Sequence, residues 1–287
     1  MKFKDNFLQE QFNEIGFVKV PFLTNDEISQ LKEYITDHTP IVQKSNEIGF
    51  FQGVFIDGKE TKVNLHNYIK SIIEDKLLEF IDGFKVIIYT ALAKGSGQNS
   101  KLELHQDSSF VDESSDFSIS IWIPLSDSNA QNGAMHYLEG SHKTYPNIRC
   151  ATVIHDYGDF EEIKESMKCI DVKAGEVLFF NPRILHYTPN NLTSENRIAV
   201  MAGLINPTSD ILQWYKINDT RLEVFKMKDD FFLDYDNFTI EKDQRPKGEK
   251  IGEIEVTPFK PLFPFNKKRN NNRFTFALSK LKSILTK

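Results

Sequence analysis

The strongest constraint in this chain is a short polar cluster, His105-Gln106-Asp107, that requires a partner far along the sequence at His186. Leu102 and Leu104 alternate with Glu103 and His105, the period-2 pattern of a strand, so His105 stands on the face away from the leucines. Two residues apart on extended backbone, His105 and Asp107 share one side and can reach one ion. An H-x-D triplet alone is a weak signal, and its ordinary reading is a strand-end histidine beside a solvated carboxylate. A matching second element changes that balance. Ala174-Gly175-Glu176 reads as a turn, Val177 to Phe180 as a buried strand, and Asn181-Pro182-Arg183 as a break. Ile184 to Thr188 then starts another strand, which carries His186. Two imidazoles and one carboxylate on one side of a metal leave the opposite positions open, the facial arrangement that suits non-haem iron(II).

The run Pro189 to Asn196 is a polar loop, and Arg197 to Gly203 is a returning strand. A hairpin centred near Leu192 would set Thr188 opposite Arg197, on the face of His186. A guanidinium grips a carboxylate with a planar fork, so Arg197 is a seat for the far carboxylate of 2-oxoglutarate. The alternative, a surface cation at a strand start, is weakened by the neighbouring Ile198, Val200 and Met201. Between the two ligand segments, Ile119, Ile121 and Ile123 form one face of a strand, and Ser118, Ser120 and Trp122 the other. Small polar side chains with one indole suit a cavity wall; the competing reading is an edge strand with a wet face. Pro124 ends the ladder, and Asn132-Gly133 makes a tight turn. His136 and His142 read as loop and surface histidines, and His38, His66 and His155 have no partners at ligand spacing.

These pieces resemble the phytanoyl-CoA dioxygenase-like family of iron(II)/2-oxoglutarate oxygenases. The matching stretches are Leu104 to Asp107, Trp122 to Leu125, Asn132-Gly133 with Glu139 to Lys143, Gly175 to Phe180, and His186 with Arg197. The opening, Phe12 to Leu23, also has the family's look, and the resemblance covers most of residues 1 to 206. It implies a mainly β fold with flanking helices, a double-stranded β-helix or jelly-roll, cupin-like barrel. It further implies Fe(II) held by His105, Asp107 and His186. 2-Oxoglutarate would be anchored by Arg197 with Thr188 assisting and Trp122 close by, and O2 would be the oxidant. Halogenating relatives carry a small residue where Asp107 stands, so halogenation is disfavoured.

The chain has 287 residues with 40% hydrophobic content, enough for a sizeable core. Lys and Arg total 35 against 41 Asp and Glu, a net charge of −6 that argues against a dedicated nucleic-acid binder. Cys150 and Cys169 form neither a disulfide framework nor a metal pattern, which points to a reducing compartment. The opening residues lack an apolar signal core, and no stretch has the apolar length of a membrane span. The expectation is a cytoplasmic protein.

Along the chain, residues 5 to 15 read as a helix stopped by Gly16, followed by a strand from Phe17 to Val20. Thr24 to Glu27 matches a capping box before a helix carrying Ile28, Leu31 and Ile35. Ile69, Ile72, Ile73, Leu77 and Phe80 predict a second helix near 66 to 81, ended by Gly83. Residues 43 to 60 fit a mobile substrate-covering loop or a surface hairpin equally well. Lys94 to Ser100 is a Gly-rich loop without the P-loop pattern. Gln244 to Phe265 looks like an extended wrap. The domain itself is taken as residues 1–265, and 266–287 as a basic amphipathic tail. That tail carries Lys267, Lys268, Arg269, Arg273, Lys280, Lys282 and Lys287 with no acidic residue. Docking of this tail on the acidic body, or on a neighbour's in an oligomer, is preferred over contact with an anionic membrane.

The leading functional expectation is an iron(II)/2-oxoglutarate-dependent dioxygenase hydroxylating an unactivated C–H bond of a small metabolite. A non-catalytic jelly-roll binding module is the alternative. A zinc hydrolase ranks last, because no helical H-E-x-x-H pattern exists. For the substrate pocket, Glu103, Phe110, Tyr187 and Arg183 are the candidates, a mixture of charge and aromatic surface that hints at a polar small molecule.

Overall fold

A computed structural model describes residues 1–97, 99–150, 153, 155–234 and 245–259. The chain begins with β1 (Lys2–Phe3), α1 (Asn6–Ile15), β2 (Phe17–Pro21), α2 (Asn25–His38) and α3 (Ile41–Ile48). Then follow β3 (Phe50–Gln52), α4 (Lys59–Phe80) and β4 (Ile81–Asp82). The central strands are β5 (Lys85–Lys94), β6 (Leu102–His105), β7 (Ile119–Pro124) and β8 (His136–Tyr137). After α5 (Phe160–Lys164) come β9 (Lys168–Cys169), β10 (Glu176–Phe180), β11 (His186–Thr188) and β12 (Arg197–Ile205). The described chain closes with β13 (Ile211–Asn218), β14 (Arg221–Met227), α6 (Phe231–Asp234) and β15 (Glu249–Glu255).

Local chemistry explains the helices. The Asp5 carboxylate accepts from the amides of Phe7 and Leu8 at the start of α1, and Gly16 stops that helix with φ 96°. A β-carbon at Gly16 would also lie 2.6 Å from the His142 ring, so this position needs glycine twice over. Thr24 and Glu27 exchange hydrogen bonds in the capping box read from the sequence. The helix expected near 66–81 begins earlier, at Lys59, and buries Leu65, Ile69, Ile73 and Leu77 along one stripe. These side chains join Leu31 and Ile35 of α2 against Ile119, Ile121 and Ile123 of β7, Val177 and Phe179 of β10, and Ile198 and Val200 of β12. Each such burial contributes about 1.5–3 kcal/mol. The helices thus armour one sheet from outside and leave its other face to the site.

From β5 to β12 the strands pass back and forth between two sheets, with β8 and β9 successive in one of them. One has the order β2-β10-β7-β12-β5-β3, the other β6-β11-β8-β9. Interleaving of this kind is a jelly roll. Its interior is packed by Phe17, Leu92, Trp122, Tyr137, Leu178, Phe180 and Ala199. As the sequence pattern predicts, β7 turns its isoleucines to the helices and Trp122 inward.

Several expectations are corrected. β11 and β12 do not pair as a hairpin: β11 joins β6 and β8, whereas β12 lies between β5 and β7 in the other sheet. The intervening loop closes on itself through Asn191, whose side chain bonds the carbonyls of Lys94 and Glu195 and the amide of Thr193. That knot carries the chain across the gap between sheets. The short helix α3 was not foreseen; it is only eight residues long and buries Ile41 and Ser45. Within residues 43–60, Phe50–Gln52 forms an edge strand on β5 rather than a surface hairpin. Gly83 lies past the end of the helix, in the turn between β4 and β5. Within the expected wrap, residues 249–255 are a strand paired with β14. The basic tail, 266–287, lies outside the described residues.

Gly49 ends α3 with φ 88°, and a β-carbon there would stand 2.0 Å from the carbonyl oxygen of Asn99. Backbone cannot move aside as a side-chain tip can. Gly49→Ala is therefore expected to destabilise the protein by about 2 kcal/mol or more in urea unfolding; an unchanged midpoint would contradict this packing.

Candidate active site

Three donors converge where β6 meets β11. His105 and His186 are direct cross-strand partners, with ring centroids 4.2 Å apart. Each imidazole Nε2 lies 3.7 Å from Asp107 Oδ1. All three ligand atoms fall within 4.8 Å of one another. The Nδ1 atoms are engaged elsewhere, with the Glu103 carbonyl for His105 (2.6 Å) and the Ile184 carbonyl for His186 (2.9 Å). Donation from Nδ1–H leaves a lone pair on each Nε2, aimed at the common point. His186 is buried between the rings of Tyr137 and Phe180. Burial, reinforced by the neighbouring His105, pulls its pKa down to about 4, so it stays neutral and ready to ligate. Two nitrogens and one carboxylate at this spacing fit a first-row divalent cation.

Deeper in the roll sits a cationic end. Arg197 begins β12, fully enclosed, with its guanidinium 5.2 Å from the Trp122 ring centroid. Its Nη1 donates to the Gly133 carbonyl, and no acidic group offsets its charge among the described residues. Burial lowers its pKa to about 10, which leaves it charged at neutral pH. Two buried polar atoms lack protein partners among the described residues: Arg197 Nε, and Thr188 Oγ1 on β11, two residues past His186. An orphaned cationic donor and an orphaned hydroxyl are what a carboxylate would satisfy. The residues present therefore fit an oxoacid.

Lys94, the cross-strand partner of Arg197, is also fully buried. Its ammonium donates to the carbonyls of Ser100 and Pro189, tying the loops that follow β5 and β11. Burial, then the nearby Arg197, lowers its pKa to about 7. Sequence reading missed it, although a lysine closing the apolar run Val86 to Ala93 was a usable signal.

A cleft of about 800 Å³, counted with its open mouth, adjoins the triad on the Asp107 side. Phe110 lines it, together with Ser118, Ser120 and Gln52. The other three pocket candidates are elsewhere. Glu103 points to solvent and pairs with Lys101. Tyr187 follows His186 on the strand and so faces the opposite side, packed on His136 and Phe160. Arg183 is a buttress: it donates to the Tyr145 carbonyl and stands 3.7 Å from Glu113. His142 is buried rather than superficial, held by the Asn13 carbonyl, with its pKa lowered to about 4 by that burial.

Behind Asp107 lies a buried ion cluster that the sequence did not disclose. Arg149 donates through both terminal nitrogens to Glu113 and through Nε to the Asp107 carbonyl (2.8 Å). The Asp107 amide donates to the Pro182 carbonyl, and Gln106 Nε2 to the Arg183 carbonyl. These contacts stitch the two ligand-bearing segments together.

Comparison with known proteins agrees with this geometry. The model of the family described as phytanoyl-CoA dioxygenase (PhyH) matches residues 12–199. A phytanoyl-CoA dioxygenase of Arabidopsis thaliana is 29% identical over 131 residues, 44% of this chain and 45% of that protein. The matched stretch is thus less than half of that relative's length. Among solved structures, a non-heme monooxygenase, ThoJ, in a nickel complex has a TM-score of 0.50 at 17% identity, covering 97% of this chain and 96% of its own. HygX from Streptomyces hygroscopicus, with nickel and 2-oxoglutarate bound, has a TM-score of 0.51 at 17% identity, covering 70% of this chain and 87% of its own. At such identity the two structures establish the fold.

Two outcomes are expected from the buried charges. Arg149→Met strands the Glu113 carboxylate away from water and should cost about 3–5 kcal/mol in chemical unfolding. Adding Glu113→Gln should restore part of that loss; no recovery in the double variant would contradict the pairing. For Lys94, the unfolded side chain keeps its proton to about pH 10.5 and the folded one only to about 7. The unfolded state therefore binds more protons between those values, and stability rises with pH across that window. Urea midpoints of the wild type should climb relative to Lys94→Met from pH 7 to 10, and a pH-independent difference would refute the depressed pKa.

Proposed function

This chain belongs to the phytanoyl-CoA dioxygenase family, and on that premise we propose that it is an iron(II)/2-oxoglutarate-dependent dioxygenase. Its reaction hydroxylates an unactivated C–H bond of a small metabolite, with succinate and carbon dioxide released. The observation that carries this reading is the convergence of His105, Asp107 and His186 with bare donor atoms facing one point. The iron would be held by those three side chains, and bound there it supplies the activation of dioxygen coupled to decarboxylation of the oxoacid. Of the two atoms of the dioxygen consumed, one enters the new hydroxyl and the other the succinate carboxylate.

The chain's own residues then have defined tasks. Arg197 binds the distal carboxylate of 2-oxoglutarate, with the Thr188 hydroxyl as a second donor; both have buried polar atoms without protein partners. Trp122 lies against the guanidinium and shields that end from water. The backbone carbonyls of Glu103 and Ile184 fix the tautomer of the two imidazoles. Tyr137 and Phe180 hold the His186 ring in place. Asp107 fills the position that a halogenating enzyme leaves to chloride, which favours return of oxygen over halogen.

The test is an anaerobic titration. Iron(II) with 2-oxoglutarate should give a weak visible charge-transfer band, and His186→Ala or Asp107→Ala should lose both the band and succinate formation. Arg197→Leu should keep metal binding but weaken 2-oxoglutarate on the order of 100-fold. A band that persists undiminished in His186→Ala would sink the assignment.

A further inference from the structure

We infer that the cleft beside Asp107 binds a neutral, mainly apolar small molecule and discriminates against carboxylates and amines of the same skeleton. The inference rests on the proposed function, since it assigns this cleft to the oxygenase's substrate. Its walls come from segments far apart in sequence. Val54 follows β3, Ile87 and Ile88 lie on β5, Met201 on β12 and Phe232 on α6. Phe110 sets its ring edge to face against Phe232, with centroids 4.9 Å apart, and packs in one cluster with Val54, Ile87 and Ile88.

The polar part of the lining is small and uncharged. Gln52, Thr90, Ser108, Ser118 and Ser120 contribute an amide and hydroxyls. Asp107 is the single ionisable side chain on the lining among the described residues, and it belongs to the triad. Ser118, just before β7, and Ser120 on its inward face both line the cleft, and Ser120 Oγ lies 3.4 Å from Asp107 Oδ2. The Gln52 amide makes its nearest side-chain contact with the Met201 sulfur at 3.4 Å, a weak acceptor that a ligand oxygen would outcompete. A hydroxyl or carbonyl oxygen on the ligand therefore finds donors in the cleft, whereas an ionised group finds no counter-charge among the described residues once Asp107 is committed to the metal. Removing an unpaired charge from water is far costlier than removing a hydroxyl that is hydrogen-bonded on arrival. The two cations that could hold an anion, Arg197 and Lys94, sit at the other end of the roll, beyond Trp122, and do not line this cleft.

The test uses the full chain saturated with zinc(II), which is redox-silent, and 2-oxoglutarate. Menthol and farnesol serve as neutral probes, against menthane-3-carboxylic acid and menthylamine, with binding read by calorimetry. At least one neutral probe should bind, and the two ionised congeners should bind on the order of tenfold more weakly than menthol or not at all. Phe110→Ala should weaken the neutral probes. Met201→Lys should weaken them too and raise affinity for the carboxylate, reversing the preference. Equal or tighter binding of the ionised congeners to the wild type would overturn the inference. So would failure of both neutral probes while zinc(II) and 2-oxoglutarate still bind, an outcome that leaves the proposed function standing. Failure of zinc(II) and 2-oxoglutarate themselves to bind would overturn both.

Discussion

The pairing of β6 with β11 is the interaction on which the rest depends. It sets His105 directly across from His186, on strands that belong to one sheet but lie far apart in the chain. Side chains on a strand alternate, so a slip of one residue would turn one imidazole out of the roll and leave no metal site. β11 is only three residues long, too short to hold register by its own ladder. The register is held from behind instead. The Asp107 amide and the Gln106 side chain bond the carbonyls of Pro182 and Arg183, one turn ahead of His186. Arg149, clamped on Glu113, pins the Asp107 carbonyl. Buried ion pairs of this kind are weak contributors to net stability because both partners lose their hydration. Their value here is geometric: they fix a carboxylate and two rings relative to one another more tightly than apolar packing could.

The inner face of β7 divides the roll into two environments. Ser118 and Ser120 face the neutral cleft, and Trp122, next on the same face, covers Arg197. Behind Trp122, Arg197 and Lys94 are cross-strand partners, a guanidinium and an amine whose pKa has fallen to about 7, enclosed side by side. Like charges so placed repel, and burial penalises both. Carbonyls from Gly133, Ser100 and Pro189 absorb part of that penalty without cancelling the charge. The residual positive potential has one natural use, the reception of an anion. A site that separates an anion-receiving end from a neutral end can bind a dicarboxylate and an uncharged molecule at once, each in its own compartment.

Much of this was legible in the sequence, and the reasons are local. Period-2 alternation exposed β6 and β7, a continuous apolar run after a turn exposed β10, glycine and capping chemistry exposed the ends of α1 and α2, and the ligand types themselves exposed the triad. Arg197 stood out because apolar residues follow it. What failed was pairing. Thr188 and Arg197 look like hairpin partners because only a short polar loop separates them, yet Asn191 folds that loop so that the chain changes sheets. The Arg149–Glu113 pair was invisible because nothing in the sequence around either residue announces a partner at that separation. His142 looked like a loop histidine, and only contact with Gly16 and Asn13 from the chain's opening reveals that it is buried.

The misreading of the pocket has a physical lesson of its own. Glu103, Tyr187 and Arg183 were read as a mixture of charge and aromatic surface, and the geometry sends each one away from the cleft. Glu103 lies at the rim where its charge stays hydrated, Tyr187 faces outward because its neighbour faces inward, and Arg183 serves the backbone. Besides Asp107, Ser108 and Phe110, the cleft draws on β3, β5, β7, β12 and α6, elements that carry no metal ligand. Most of the cleft wall is therefore encoded apart from the metal donors, with the Asp107 segment common to both. Changes at Val54, Ile88 or Phe232 can reshape what the cleft admits without touching the register of β6 on β11. That separation lets one scaffold keep a fixed reaction centre while its ligand preference varies, because the contacts that hold the donors in place are not the contacts that select the molecule beside them.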